Sequence, residues 1–463
     1  MLRNLRTILW TLLCAGLLNL GSAQDTPELL FPTGEDSRFH WENLAAFEAL
    51  DLRGETITIF GPWLGAQAQE LERVLEYFAR ATGAEVVYTG SDAFEQQVQR
   101  DIQGNTPPNI AVFPQPGLAA DLAVQGLLVP LGEAFAQWTL ETYAAGSSWV
   151  ELGSYAGSEG VRAYYSFPFK VNVKSLVWYV PERFAAAGYR VPASMEDLFT
   201  LSEQIVADGG VPWCIGLAAG EASGWPATDW VEDILLRTQP PEVYDAWVSN
   251  AVRFDDPRVV EAVERFGAIA KTDAWVSGGA QGTVMSDYRD APAGLFNEPP
   301  SCYMHHQASF IPAFFPERVQ LGKDVDFFYL PPFAGSDAKP VLGAGTLWSI
   351  AADSEGTRAL LEFLKTPLAH ELWMAQSGFL TPHTGVNTDL YADDTLRKQG
   401  DILLSATTFR FDGSDLMPSA IGAGAFWRVM TAYVTDPDMS AADAAAAVQA
   451  EWNALKAGQR SGD

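Results

Sequence analysis

The chain has 463 residues, 48% of them hydrophobic, with 15 Trp, 14 Tyr and 26 Phe: material for two or three packed domains, and far too apolar for a disordered chain. Its 58 acidic residues outnumber 29 basic ones, only eight of them Lys, giving a formal charge of −29. A surface of that sign repels phosphate backbones and anionic headgroups, which excludes nucleic acid and anionic membranes as partners.

Residues 1–23 read as an address. Met1 to Arg6 is a basic start, Ile8 to Leu18 an apolar run, and Gly21-Ser22-Ala23 a small-residue cleavage site, the pattern of a secretory signal. The apolar run is too short to span a bilayer. Leu13 stands before Cys14 where a lipoprotein signal needs a small residue. Cleavage is expected after Ala23, and losing Arg3 and Arg6 takes the exported protein to −31, in the periplasm or outside the cell. Two cysteines remain, Cys214 and Cys302. In an oxidising compartment such a pair favours a disulfide; two buried free thiols are the alternative.

From Thr56 to Phe60 the chain alternates like a strand and breaks at Gly61-Pro62. Leu71, Val74, Leu75 and Phe78 recur at helical spacing, and Gly83 stops that helix. Glu85 to Tyr88 is a second short strand; Phe94, Val98 and Ile102 mark one face of a second helix; Asn109 to Phe113 is a third strand. This β-α-β-α-β order predicts a parallel sheet covered by helices, with ligands bound beyond the carboxyl ends of its strands. Those ends carry Gly61-Pro62-Trp63, Gly90-Ser91-Asp92 and Pro114-Gln115-Pro116-Gly117.

Tyr164 to Lys170 and Ser175 to Val180 read as extended, and Pro168 within them suggests an edge strand or a crossover between domains. Ser194 and Asp197 are spaced to cap a helix running through Val206, and Asp256-Pro257 opens another. Val325 to Leu330 and Val341 to Ile350 are strand-like, the latter containing Gly343-Ala344-Gly345. Thr357 to Lys365 reads as a helix, and an Ala-rich helix from Ala441 to about Ala457 closes the chain.

No nucleophile elbow, phosphate-binding loop or His-Glu-x-x-His motif occurs. Gly343-Ala344-Gly345 and Gly422-Ala423-Gly424 lack the third glycine of a dinucleotide loop, because Trp348 and Trp427 stand there. His305 and His306, adjacent on a strand, point to opposite faces, so a metal centre is not expected, nor any cofactor. What stands out is aromatic residues in loops: Trp63 after a Gly-Pro break, Trp225 and Trp230 around Asp229, and Phe426-Trp427 after a glycine pair. A sugar presents a C–H face that packs on an aromatic ring and a rim of hydroxyls that Asp, Asn, Gln, Lys and Arg satisfy.

Longer segments carry a resemblance. Ile57 to Trp63, Lys170 to Tyr179 (KVNVKSLVWY), Pro212 to Gly216, Gly224 to Asp233 (GWPATDWVED), Gly278 to Gly282, Cys302 to Phe310 (CYMHHQASF), Gly322 to Phe328 and Ser414 to Trp427 resemble the extracytoplasmic solute-binding proteins of carbohydrate ABC importers, the maltose-binding-protein-like group, and within it the α-glucoside-binding branch. The resemblance implies an α/β, two-lobed periplasmic-binding-protein fold of type II, with a hinge and a central ligand cleft. It implies lobe 1 from residues 24–168, lobe 2 from 169–338, a return to lobe 1 over 339–370, and C-terminal helices mainly of lobe 2 over 371–463. It also implies that Trp427 stacks on the sugar, that Trp225 and Asp229 are second-lobe contacts, and that Trp63, Asp92 and Gln115 face the cleft from the first lobe. Gly343 and Gly345 join this ligand set, as does His306, which stands where relatives often offer an aromatic. Lys170 either faces the cleft or seals the hinge. Cys214 and Cys302 resemble a disulfide pair of the branch.

The expected function is therefore a monomeric, non-catalytic protein that captures a sugar or oligosaccharide, with an α-glucoside expected, and hands it to the membrane permease subunits of an ABC importer. A secreted glycoside hydrolase with two cleft carboxylates is the alternative from another class, and a binder of a non-sugar solute keeps the fold. The acids beside the loop aromatics are single rather than paired, which favours the binder.

Overall fold

The computed structural model describes residues 29–144, 146–376, 378–405 and 408–461; the signal segment and its cleavage site lie outside them. The described strands are β1 (Thr56–Gly61), β2 (Glu85–Gly90), β3 (Ile110–Phe113), β4 (Ser154–Ala156), β5 (Arg162–Tyr164), β6 (Ser166–Val173), β7 (Leu176–Tyr179), β8 (Met304–His306), β9 (Asp326–Tyr329), β10 (Pro340–Ile350) and β11 (Thr408–Phe411).

The main sheet runs β2-β1-β3-β10-β11, with β6 paired to β10 as well. Strand β1 pairs β2 and β3 in parallel, as the β-α-β-α-β pattern predicts. Strand β10 is antiparallel to β3 and β6, and all of its residues are buried. Pro168 sits in β6, which pairs with no named strand but β10, so its missing N–H breaks no central ladder. The helix Gly65–Thr82 buries Leu71, Val74, Leu75 and Phe78 and ends at left-handed Gly83, whose N–H bonds Ala79 O. The helix Phe94–Gln103 buries Phe94, Val98 and Ile102 on one face.

A smaller sheet, β8-β7-β9, centres the other half. Strand β7 alternates between two cores: Leu176 and Trp178 join the core of the main sheet, whereas Val177 joins a second core. That second core gathers Ile205, Trp230, Phe266 and Met430 from helices on both sides of β8 in sequence, with Met304 of β8 itself and Trp213 from the segment bridged to it. By sheet and core membership the chain has three passages between the halves: at Lys174-Ser175 from β6 to β7, between β9 and β10, and after β11. The helix Pro367–Met374, with Phe379 and Leu380, still packs in the first core, and the second core resumes at Met417. Cys214 and Cys302 form a disulfide with Cα atoms 5.4 Å apart.

Beside that bridge His305 is buried; its Nδ1 donates to the Cys214 carbonyl at 2.8 Å. Among the described residues its Nε2 finds no partner, and burial draws the imidazole down to about 4. A group held below its unfolded value near 6.5 contributes stability that is complete above that value and lost as pH falls toward 4. Relative to His305→Gln, wild type is therefore expected to lose about 1.4 kcal/mol per pH unit between about pH 6 and 4.5, read from urea unfolding. A constant difference between the two proteins across that window would refute a neutral, buried His305.

Candidate ligand-binding cleft

Between the two halves lies a cleft of about 900 Å³, part of it open to solvent. Its first wall follows the carboxyl ends of three parallel strands: Pro62 and Trp63 after β1, Ser91 and Asp92 after β2, Pro114 and Gln115 after β3, with Gln67 and Glu95 from the helices behind. Its floor is Lys170, Asn172 and Lys174 along β6 and just beyond, beside Ala344, Gly345 and Thr346 of β10. The second wall brings Ala219, Ala222, Trp225, Tyr288, Phe310, Asp415 and Trp427.

Each aromatic is placed by its own element. Tyr88 of β2 clamps the loop after β1: its hydroxyl accepts from Trp63 N at 2.8 Å and donates to Trp63 O at 3.1 Å. Gly90 makes this approach possible, because a Cβ there would lie 1.8 Å from Trp63 O. The Trp63 ring then packs edge-on against Trp373 at 5.3 Å. Trp225 opens the helix Trp225–Thr238, and its ring meets Tyr288 at 4.9 Å and Phe310 at 6.0 Å. Gly224, at φ 110°, turns the chain into that helix where any Cβ would strike Trp427 O at 2.2 Å. Trp427 starts the helix Trp427–Thr435 after a π-helical stretch, Ala420–Phe426, of the kind that re-aims side chains at functional sites.

The floor is polar. Lys170 is 1% exposed, and its ammonium lies 4.8 Å from the Trp373 ring centre and 5.5 Å from that of Trp63. Burial lowers it to about 8, opposed by the charge of Glu70. Among the described residues Lys170 Nζ, Asn172 Oδ1, Thr346 Oγ1 and Gln115 Oε1 are buried with no hydrogen-bond partner. Gln115 spends its Nε2 on Glu95 Oε1 at 2.9 Å; burial raises the Glu95 carboxyl, against that hydrogen bond. Burial raises Asp415 well above the usual carboxylate range, reinforced by Asp412.

Trp63, Asp92, Gln115, Lys170, Trp225, Gly345 and Trp427, all expected from the sequence, thus come together on one cleft. Three expected residues do not line it. His306 is in the second core, with Nε2 2.9 Å from Asp233 Oδ2 and its ring 4.2 Å from that of Trp230. The strand alternation that sends His305 toward Cys214 sends His306 to this other face. Asp229 is 3% exposed and accepts from Lys174 Nζ at 2.7 Å, so it stands behind a cleft residue. Gly343 makes room for a neighbouring strand instead, since a Cβ there would lie 2.2 Å from the Phe409 ring. Asn172, Lys174, Thr346, Glu95 and Asp415 were missed. For the floor the signal was present: Lys170, Asn172 and Lys174 alternate with Val171 and Val173, a polar stripe of period two in an otherwise apolar strand.

Across the mouth, Arg289 of the second wall donates to Asp92 of the first, with Nη1 3.1 Å from Oδ1 and Nη2 3.3 Å from Oδ2. Asp287 holds the same guanidinium through Nε at 2.8 Å. A half-exposed pair is worth less than about 1 kcal/mol. Arg289→Ala is expected to weaken ligand binding by about 2- to 5-fold, through faster dissociation, and to abolish its salt dependence. Stopped-flow rates unchanged at low and high salt would refute a closing role for the pair.

Residues 62–371 match the family described as bacterial extracellular solute-binding protein. The chain belongs to that family. The alpha-glucosides-binding periplasmic protein AglE of Rhizobium meliloti is 55% identical over 447 residues, 96% of this chain and 97% of its own. The osmoprotective compounds-binding protein GgtB of Synechocystis is 40% identical over 382 residues, 82% of this chain and 89% of its own. Among solved structures, the bacterial solute receptor AcbH superimposes with a TM-score of 0.73 at 20% identity, covering 87% of this chain and 99% of that one. The fold is thus the two-lobed, maltose-binding-protein-like one expected from the sequence. This solute-binding protein belongs with extracellular and periplasmic binding proteins rather than enzymes. Among the described residues no helix is long and apolar enough to cross a membrane, and no group of three or more His, Cys, Asp or Glu could hold a metal ion.

Proposed function

We propose that this solute-binding protein captures an α-glucoside in the cleft and delivers it to the permease subunits of an ABC importer. The observation that carries the reading is the pairing of buried, unpartnered polar atoms on the floor with Trp63, Trp225 and Trp427 on the walls. Buried polar groups are almost always hydrogen-bonded, so three orphans on the floor and a fourth, Gln115 Oε1, on the first wall call for a ligand with several hydroxyls. The indole faces match the C–H face of a pyranose. Of the sugar classes, the α-glucosides are favoured by the name of the relative that is 55% identical over nearly the whole chain. In this reading the ligand touches both lobes only when they close, and the closed surface is what the permease recognises. Export through the leader cleaved after Ala23, and a monomeric state, belong to the same proposal.

The test is a thermal-shift and calorimetric panel of maltose, trehalose, sucrose and methyl α-glucoside, with cellobiose, galactose and spermidine as contrasts. Osmoprotective solutes join the panel because of the Synechocystis relative. At about 100 times Kd a ligand adds about 2.7 kcal/mol, enough for a clear rise in Tm. Response to an α-linked glucoside and not to cellobiose or spermidine is expected. Response to spermidine alone, or to no α-glucoside, would overturn the reading.

A further inference from the structure

Lys174 stands where the chain leaves β6 for β7, one of the passages between lobes, and its side chain is buried at the cleft floor. Its Nζ donates to Asp229 Oδ1 at 2.7 Å and to Asp412 Oδ2. Asp412 follows β11, another passage between lobes, and Asp229 belongs to the second-lobe helix that begins with Trp225. The same ammonium lies 5.2 Å from the Trp225 ring centre, within cation–π range. Through Asp412 it also reaches Trp427. Asp412 Oδ1 accepts from Ser414 Oγ at 2.8 Å, and Ser414 Oγ accepts from Trp427 Nε1 at 3.4 Å.

We propose that Lys174 is a positioning residue for ligand capture, one buried cation that fixes both second-lobe aromatic platforms: Trp225 directly, and Trp427 through Asp412 and Ser414. This rests on the cleft being a sugar site and adds what sets the spacing of its platforms. A sugar ring bound between two aromatic walls gains only if the walls are held before it arrives, because ordering them at binding subtracts from affinity. A single ammonium that belongs to one of the three passages and bonds Asp412 just after β11, at another, also ties that spacing to the hinge. The electrostatics agree. Burial alone would discharge Lys174, but the acids around it hold it well above its ordinary value; burial in turn raises Asp229, Glu232 and Asp415, which leaves Asp412 as the carboxylate that faces it ionised. Asp412 remains ionised against its own burial because Lys174 and the Ser414 hydroxyl stabilise the anion.

The experiment is a double-mutant cycle on the whole mature protein, read by calorimetry with maltose and trehalose and by near-ultraviolet dichroism without sugar. Lys174→Met is expected to lower affinity about 10-fold or more for the folded protein, and Lys174→Arg to retain most of it. Ser414→Ala breaks only the branch to Trp427; it is expected to cost about 3- to 10-fold in affinity and to add little in the Lys174→Met background, the mark of one shared network. A merely structural lysine would lower Tm and leave the affinity of the folded fraction unchanged. Additive losses, or affinity within about twofold in Ser414→Ala, would overturn the proposal. Should Lys174→Met not fold, Asp412→Asn replaces it in the cycle with the same expectations. If wild type binds no α-glucoside of the panel, the glucoside reading fails, and dichroism then decides on its own: an altered indole signal in Ser414→Ala supports the relay, an unchanged one overturns it.

Discussion

Trp427→Ala is expected to weaken α-glucoside binding by about 30-fold or more, the scale of a fully desolvated aromatic anchor. The ring lines the cleft, yet only 2% of the residue is exposed, so the lost contact is one from which water is already excluded. Trp427 is also among the bulkiest buried side chains of the protein, and a smaller side chain there opens a cavity that lowers stability by itself. Trp427→Phe separates the two effects. It keeps an aromatic face and most of the volume but removes the Nε1 donor to Ser414 Oγ. If stacking is what the position supplies, Phe retains binding within about 10-fold while Ala does not. Equal affinities for all three proteins, measured by calorimetry at a temperature where each is folded, would remove Trp427 from the proposed ligand set.

How much of this was legible in the sequence differs between local and long-range features. Strand β1 and the helix after it follow from period and punctuation: Thr56 to Phe60 alternates, Leu71 to Phe78 recurs at helical spacing, and Gly83 ends the helix in the left-handed conformation. Ser194 caps as its spacing to Asp197 predicts, its hydroxyl accepting from Asp197 N. The loops at the strand ends followed from fold physics alone, and Trp63, Asp92 and Gln115 do line the cleft. What one-dimensional reading lost was partnership. Asp229 looked like a ligand acid because it sits between two indoles, but Lys174, 55 residues away, takes its charge. The resemblance puts His306 in the ligand set, at a position where relatives often offer an aromatic, but Asp233 and Trp230 fill its surroundings. Asp415 and Glu95 drew no attention in a chain so rich in acid; only burial beside the cleft separates them from surface carboxylates.

Loss of the Cys214–Cys302 bridge is the largest stability change expected from one covalent bond. The two residues are 88 apart, and closing a loop of that length restricts the unfolded chain by about 4–5 kcal/mol in the chain-entropy account. Both cysteines are buried, so the replacement is best made as Cys214→Ala with Cys302→Ala, which leaves neither a free thiol nor a new buried hydroxyl. The neighbourhood keeps its other ties: Cys214 N donates to Met304 O at 2.8 Å, and the Cys214 carbonyl accepts from His305. The native geometry is therefore expected to survive while Tm falls by several degrees, with wild type in reductant moving to the same value. Sugar affinity is expected to stay within about twofold, because neither cysteine is among the residues that line the cleft. A variant as stable as wild type would mean that the unfolded chain is already restrained between these positions. A variant of normal stability at the assay temperature but much weaker binding would instead mean that the bridge sets the shape of the second wall, through β8 and the segment that follows it to Phe310.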